Sequence, residues 1–217
     1  MMKATQILIA DDHEVIRRGL RGIIESQEGW TVCGEACDGH EAVQLAEKLQ
    51  PDLAILDITM PRLNGLDATR QVKQVSPKTE VLIFTMHDSE QLVHSVLGAG
   101  ARGYLLKSGA SKHLIPAIKA LLNHTPFFSS KVAQLVLERY LAGGKPQDDF
   151  TAGRLTARER EVVQLLAEGK SNKEVAAILG ITVKTAETHR AMVMRKLELD
   201  SFSELVRYAI RNHIIEP

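Results

Sequence analysis

Five polar residues in the first half of the chain stand where they could do joint chemistry. Asp11 and Asp12 follow the apolar run 7–10, Asp57 follows 53–56, Thr85 follows 81–84, and Lys107 follows 103–106. Taken singly, an aspartate after a strand is commonly a turn or a helix cap, and a lysine there is commonly solvated. The combination argues for more. Three carboxylates brought together repel one another unless a cation offsets them, and Mg2+ prefers carboxylate oxygens, a carbonyl and several waters. The implied site takes Asp12 and Asp57 as direct ligands, Asp11 directly or through water, and the backbone carbonyl of Thr59 as a further candidate. Lys107 supplies a second positive charge. Such a set suits transfer of a phosphoryl group onto a carboxylate: the metal and Lys107 neutralise phosphate oxygens, and the Thr85 hydroxyl donates to another. Asp57, at the end of the central run, is the expected nucleophile.

Elements able to bring these residues together can be read between them. Apolar spacings of three and four mark helices, as in Ile16, Leu20, Ile23 and Ile24, in Leu92, Val93, Val96 and Leu97, and in Leu114, Ile118 and Leu121. These helices are expected at about 88–98 and 111–122 for the last two. A less apolar strand over 31–37 fits nearer a sheet edge. Short apolar strands alternating with helices predict an α/β domain over residues 1–125, a doubly wound five-stranded parallel sheet covered on both faces. In such a sheet every strand C-terminus lies along one edge, and ligands bind there. Residues 126–154 read as a linker with a helix at about 130–141, ending in the aperiodic stretch Ala142-Gly143-Gly144-Lys145-Pro146.

Residues 155–217 form a small all-α domain by pattern. Thr156 with Glu159, Ser171 with Glu174 and Ser201 with Glu204 have capping-box spacing, and Thr182 is a fourth N-cap. Helices are predicted at about 157–168, 172–179, 183–197 and 202–212. The middle pair, joined by Gly180-Ile181-Thr182, reads as a helix-turn-helix. On the helix 183–197, Ala186, Val193 and Leu197 share one face, while Lys184, Glu187, Thr188, Ala191 and Arg195 share the opposite one. That second face is the one a DNA major groove would meet. Glu187, Thr188 and Ala191 are the candidate base contacts. Lys173, Lys184, Thr185, Arg190, Arg195 and Lys196 are candidate phosphate contacts, and His189 is either another or a partly buried helix residue.

Composition limits the alternatives. The chain of 217 residues has 44% hydrophobic residues, which is ordinary for a folded protein. No apolar run approaches the ~18 residues of a membrane span, so no membrane partner is expected. Two cysteines make neither a disulfide framework nor a four-ligand zinc set, and no secretory signal is read, so a cytoplasmic location is expected. Basic and acidic residues balance at 27 each. By segment the net charge is −2 for residues 1–128, +1 for 129–154 and +1 for 155–217. Bulk charge therefore does not point to a partner. Placement does, since helix 183–197 alone carries a net +3. With so little non-specific attraction, DNA binding should depend on two half-sites held by a homodimer.

The motifs Ala10-Asp11-Asp12-His13, Asp57-Ile58-Thr59-Met60-Pro61, Thr85-Met86-His87 and Tyr104-Leu105-Leu106-Lys107 resemble the receiver domain of bacterial two-component response regulators, over about residues 5–122. The resemblance implies a flavodoxin-like fold with strand order 2-1-3-4-5. It implies that Asp57 accepts phosphate from a sensor histidine kinase, with Mg2+ held by Asp11 and Asp12. Thr85 and Lys107 would sense the phosphate, Tyr104 would be the switch aromatic, and Thr59 and His87 would tune phosphate lifetime. Leu155-Thr156-Ala157-Arg158-Glu159, Ser171-Asn172-Lys173-Glu174, Glu187-Thr188-His189 and Arg195-Lys196-Leu197 resemble the LuxR-type DNA-binding domain, over about residues 153–215. One position departs from that pattern: Ala186 stands where valine is usual, a smaller core contact away from the DNA face. Together the two halves resemble the NarL/FixJ class of transcription regulators. This implies a phosphorylation-activated regulator of promoter DNA and not an enzyme beyond self-catalysed phosphorylation and dephosphorylation, with RNA polymerase a further candidate partner. Two rivals stand beside it. One is a regulator that binds DNA regardless of phosphate, and the other is a Mg2+-dependent phosphatase or hydrolase using the acidic cleft.

Overall fold

The computed structural model describes residues 4–87, 90–128 and 155–215. The chain divides into two compact units, residues 1–145 and 146–217. The predicted linker helix at about 130–141 lies outside the described residues.

In the first unit the strands are β1 (Thr5–Ala10), β2 (Trp30–Ala36), β3 (Leu53–Leu56), β4 (Glu80–Thr85), β5 (Gly103–Leu106) and β6 (Phe127–Phe128). The helices are α1 (Glu14–Glu25), α2 (Gly39–Leu49), α3 (Gly65–Val75), α4 (Glu90–Ala99) and α5 (Ala110–Leu122). The sheet order is β2-β1-β3-β4-β5-β6, and every pairing is parallel. Alternate strand residues serve opposite layers, as the two-residue period of a pleated strand requires. Leu8, Ala54, Leu56, Val81 and Ile83 pack with Ala42, Ala46, Val72 and Val96 of α2, α3 and α4. Ile7, Ile9, Leu53, Ile55 and Leu82 pack with Leu20, Ile24, Leu114 and Ile118 of α1 and α5. Residues of β3 and β4 are buried throughout, whereas β2 is only intermittently buried, as its edge position dictates.

The expected five-stranded sheet has a sixth strand. The Phe127 N–H donates to the Arg102 carbonyl at 3.0 Å, and Phe127 and Phe128 pair with Gly103 and Tyr104. Two residues are too few to show any alternation, so the sequence pattern stops at α5.

The second unit has four described helices: α6 (Ala157–Ala167), α7 (Asn172–Leu179), α8 (Val183–Lys196) and α9 (Phe202–Arg211). Complete capping boxes close at Thr156 with Glu159 and at Ser171 with Glu174. The third is incomplete. Ser201 accepts from the Glu204 N–H, but the Glu204 carboxylate reaches one residue further back, to the Asp200 N–H at 2.8 Å. Gly180 ends α7 at φ +63, a left-handed conformation that suits glycine and lets the chain turn into α8. Val162, Val163, Leu166, Val175, Ala186, Val193, Leu205 and Ala209 make this unit's own core.

Candidate functional site

The acidic residues converge as the topology demands. Asp11 follows β1 and Asp57 follows β3, its neighbour in the sheet; the Asp57 N–H donates to the Ala10 carbonyl at 2.8 Å. Both aspartates are buried, at 1% and 4% exposure. Lys107 opens a short 3-10 turn after β5 and reaches back between them. Its ammonium lies 2.7 Å from Asp11 Oδ2 and 2.8 Å from Asp57 Oδ2. The contact to Asp57 is an aligned hydrogen bond, whereas Asp11 Oδ2 is buried with a close ion contact but no aligned hydrogen bond. Asp11, Asp12, His13 and Asp57 each offer a ligand atom, all within 4.8 Å of one another. Asp12 is the most exposed of the three aspartates, and its Oδ1 lies 2.7 Å from His13 Nδ1.

Burial governs the electrostatics. It pushes the Asp57 carboxyl up to about 6; the Lys107 ammonium opposes this, and the charge of Asp11 adds to it. Burial pulls the Lys107 ammonium down, yet its close contacts with the carboxylates of Asp11 and Asp57 leave it above the ordinary lysine range.

The loop after Asp57 is folded tightly back. The Gly65 N–H donates to the Ile58 carbonyl at 2.8 Å, and a Cβ on Gly65 would lie 1.9 Å from the Asp57 carbonyl oxygen. No side chain fits there, so glycine is what allows α3 to start beneath the site. The Thr59 hydroxyl lies 3.3 Å from His87 Nε2, a contact between these two side chains that the sequence does not show. The His87 N–H donates to the Thr85 hydroxyl at 3.2 Å. Tyr104 is fully buried, and its hydroxyl donates to the His87 carbonyl. Thr85, His87 and Tyr104 are therefore one chain of hydrogen bonds.

Two further residues border the acidic cluster, of which only Arg17 escaped the sequence reading. His13, which with His87 is the cleft's candidate acid under the hydrolase reading, sits against Asp11 and Asp12, with its backbone N–H donating to Asp11 Oδ1 at 2.9 Å. Arg17 donates to the Asp11 carbonyl at 2.8 Å and pairs with Glu35 on β2. Nothing in its spacing distinguishes it from the other arginines of α1.

In the second unit, Ala186, Val193 and Leu197 are buried, while Lys184, Glu187, Thr188, Ala191 and Arg195 are exposed, as the helical spacing predicts. Lys173 is exposed at the start of α7, and Arg190 is half-buried. Thr185 is half-buried, with its hydroxyl 2.8 Å from that of Thr182. The Thr188 hydroxyl donates back to the Lys184 carbonyl at 2.9 Å. His189 is half-buried, and its Nδ1 is buried without a hydrogen bond, so the ring is not simply presented outward. Lys196 departs most from expectation. Its ammonium lies 2.7 Å from both carboxylate oxygens of Glu159, an inward position rather than one on the outward face. Burial works against ionisation of Glu159, but the bonds from Lys196 and Thr156 outweigh it and hold the carboxyl below its ordinary range.

Comparison with known proteins gives a consistent result. Residues 7–119 match the family described as response regulator receiver domain, and residues 153–209 match bacterial regulatory proteins, luxR family. The chain is 37% identical to the transcriptional regulatory protein LiaR of Bacillus subtilis, covering 97% of this chain and 99% of that one. It is 36% identical to the oxygen regulatory protein NreC of Staphylococcus haemolyticus, with coverage of 97% and 99%. A LuxR-family two-component response regulator from Aurantimonas is similar in structure, with TM-score 0.59 and 36% identity over 63% of this chain and 97% of that one. RcsB from Salmonella enterica serovar Typhimurium, solved bound to promoter rprA with phosphomimetic BeF3-, has TM-score 0.58 and 27% identity, over 95% of this chain and 98% of that one.

Proposed function

The chain belongs to the LuxR-family response regulators, DNA-binding transcription regulators with a receiver domain, and from that premise we propose that Asp57 is its phosphoacceptor, loaded by a sensor histidine kinase. The observation that carries this reading is the Lys107 ammonium lodged between the buried carboxylates of Asp11 and Asp57. A phosphoryl group on Asp57 would bring further negative charge to a place already built around a cation.

Asp11, Asp12, Asp57 and the Thr59 carbonyl are the residues that would hold Mg2+. The donors are all hard oxygens, and the three carboxylates offer ligand atoms within 4.8 Å of one another, so the set fits that ion. When bound, Mg2+ neutralises charge on the carboxylates and the phosphoryl oxygens. The Thr85 hydroxyl and Lys107 engage the phosphoryl group. Movement of Thr85 toward it breaks the bond from the His87 N–H, and Tyr104, held to the His87 carbonyl, is free to follow. Thr59 and His87, in contact at the cleft, set how easily water reaches the phosphoryl group.

The output is binding of promoter DNA by α8 in the major groove, with Glu187, Thr188 and Ala191 at base edges. Lys173, Lys184, Thr185, Arg190 and Arg195 meet the backbone, and His189 supports them. The protein acts as a cytoplasmic homodimer whose contacts can include RNA polymerase, and it turns over no substrate beyond its own phosphate. The test is incubation with acetyl phosphate and Mg2+, read on phosphate-affinity gels, for the wild type and Asp57→Asn. A phosphorylated wild type, an unmodified variant and tighter DNA binding only by the former are expected. Equal DNA affinity of both proteins with and without the donor would overturn activation by phosphate.

A further inference from the structure

The first turn of α6 carries polar residues that the proposed mechanism leaves unused. Glu159 is 2% exposed, and both its oxygens lie 2.7 Å from the ammonium of Lys196, in the last turn of α8. The same carboxylate accepts the Thr156 N–H at 2.8 Å, so it is fixed at two points and cannot change rotamer without losing both. The preceding residue holds the other end of the motif. Arg158 donates to the carbonyl of Leu179 at 2.5 Å, and Leu179 is the last residue of α7, directly before the turn into α8. Glu161 accepts from the Arg158 guanidinium at 2.8 Å and steadies it.

We propose that Arg158 and Glu159 are positioning residues for DNA recognition, clamping the turn and the far end of α8, and that Lys196 serves this clamp instead of the DNA backbone. The inference rests on the reading of α8 as the DNA-contacting helix. The fourteen residues of α8 span about 21 Å. Only Ala186 and Val193 are buried along them, with Leu197 just beyond. Small apolar contacts tolerate rolling and sliding, whereas hydrogen-bonded ions at both ends of the motif have direction. A helix free to roll would move Glu187, Thr188 and Ala191 off the base edges while leaving long, flexible Lys184 and Arg195 able to find phosphates. Loss of the clamp should therefore damage specific binding and spare non-specific binding. It also lowers the charge that α8 offers DNA, since Lys196 is already neutralised.

The test uses the full-length chain, a duplex selected from a random pool by the wild type, and an unrelated duplex. Lys196→Met should weaken the selected duplex roughly tenfold or more, about the loss of one base contact. It should leave the unrelated duplex unchanged, and Lys196→Arg should restore the loss. The slope of log affinity against log salt should be the same for Lys196→Met and wild type. Arg195→Ala, as control, should lower that slope by about one. A slope lowered by about one in Lys196→Met would make Lys196 a phosphate contact and overturn the proposal, as would unchanged affinity for the selected duplex. If Lys196→Met does not fold, Glu159→Gln, which keeps shape and a capping acceptor, must show the same selective loss. Slopes unmoved by both Arg195→Ala and Lys184→Ala would instead remove α8 from the DNA interface, a failure distinguishable from that of the clamp.

Discussion

Asp57→Asn should make the metal-free protein more stable at neutral pH, although it removes the proposed phosphoacceptor. The carboxyl is 4% exposed, and burial raises it from 3.8 to about 6 even with Lys107 opposing. A group whose folded value lies above its unfolded value binds more protons when folded, so stability falls as pH rises through the interval between them. Here the penalty is absent below about pH 3.8, grows toward pH 6 and is fully present above it. At about 1.4 kcal/mol per unit, a shift of roughly two units corresponds to at most about 3 kcal/mol. Asparagine carries no charge to desolvate, and Asp11 still holds Lys107 at 2.7 Å in its absence. The assay is urea denaturation of both proteins with a chelator present, from about pH 4 to pH 8. The wild-type curve should drop relative to the variant between about pH 4 and 6 and then run parallel to it. Adding Mg2+ should stabilise the wild type and narrow the gap, because a ligand bound only by the folded state raises its stability. Parallel curves across the whole range, or a variant less stable at pH 7 in chelator, would refute the view that the cleft is strained by its own buried charge.

Other substitutions probe the parts separately. Gly65→Ala places a methyl 1.9 Å from the Asp57 carbonyl oxygen, which the backbone must yield to accommodate; a loss of about 3 kcal/mol or more in receiver stability is expected, and an unchanged melting curve sinks the argument. Tyr104→Phe removes the hydroxyl that donates to the His87 carbonyl and should cost about 1–2 kcal/mol in denaturation while leaving phosphorylation by acetyl phosphate intact; if the DNA response to phosphate is also intact, Tyr104 is no switch. Lys184→Ala should weaken selected and unrelated duplexes alike and reduce the salt slope by about one, whereas a loss confined to the selected duplex would make Lys184 a base contact.

The two kinds of information divide along the distance over which each interaction acts. Apolar strands bounded by Asp11, Asp57, Thr85 and Lys107 mark themselves in the sequence, because a strand buried on both faces admits almost nothing polar until it ends. Helix starts at Thr156, Ser171 and Thr182 are equally legible, since a cap and its partner lie within a turn of each other. The outward face of α8 follows from helical period alone. Ser201 shows where that kind of reading stops: the spacing is right, yet Glu204 prefers the neighbouring Asp200 N–H. β6 is invisible because its partner, β5, lies more than twenty residues earlier and its own length shows no period.

What the sequence by itself determined was the class of fold, the acidic cleft at the strand ends and the outward face of α8, because these follow from patterning and from topology that parallel strands impose. The tertiary structure alone decided which charges are already taken. Lys196 is committed to Glu159, whereas Lys107 sits between Asp11 and Asp57 at the proposed phosphoryl site, across 37 and 50 residues of chain for the hydrogen-bonded partners Glu159 and Asp57. A lysine carries the same charge wherever it occurs, and only the carboxylate that meets it in space settles whether that charge waits for a ligand or is already spent holding the fold together.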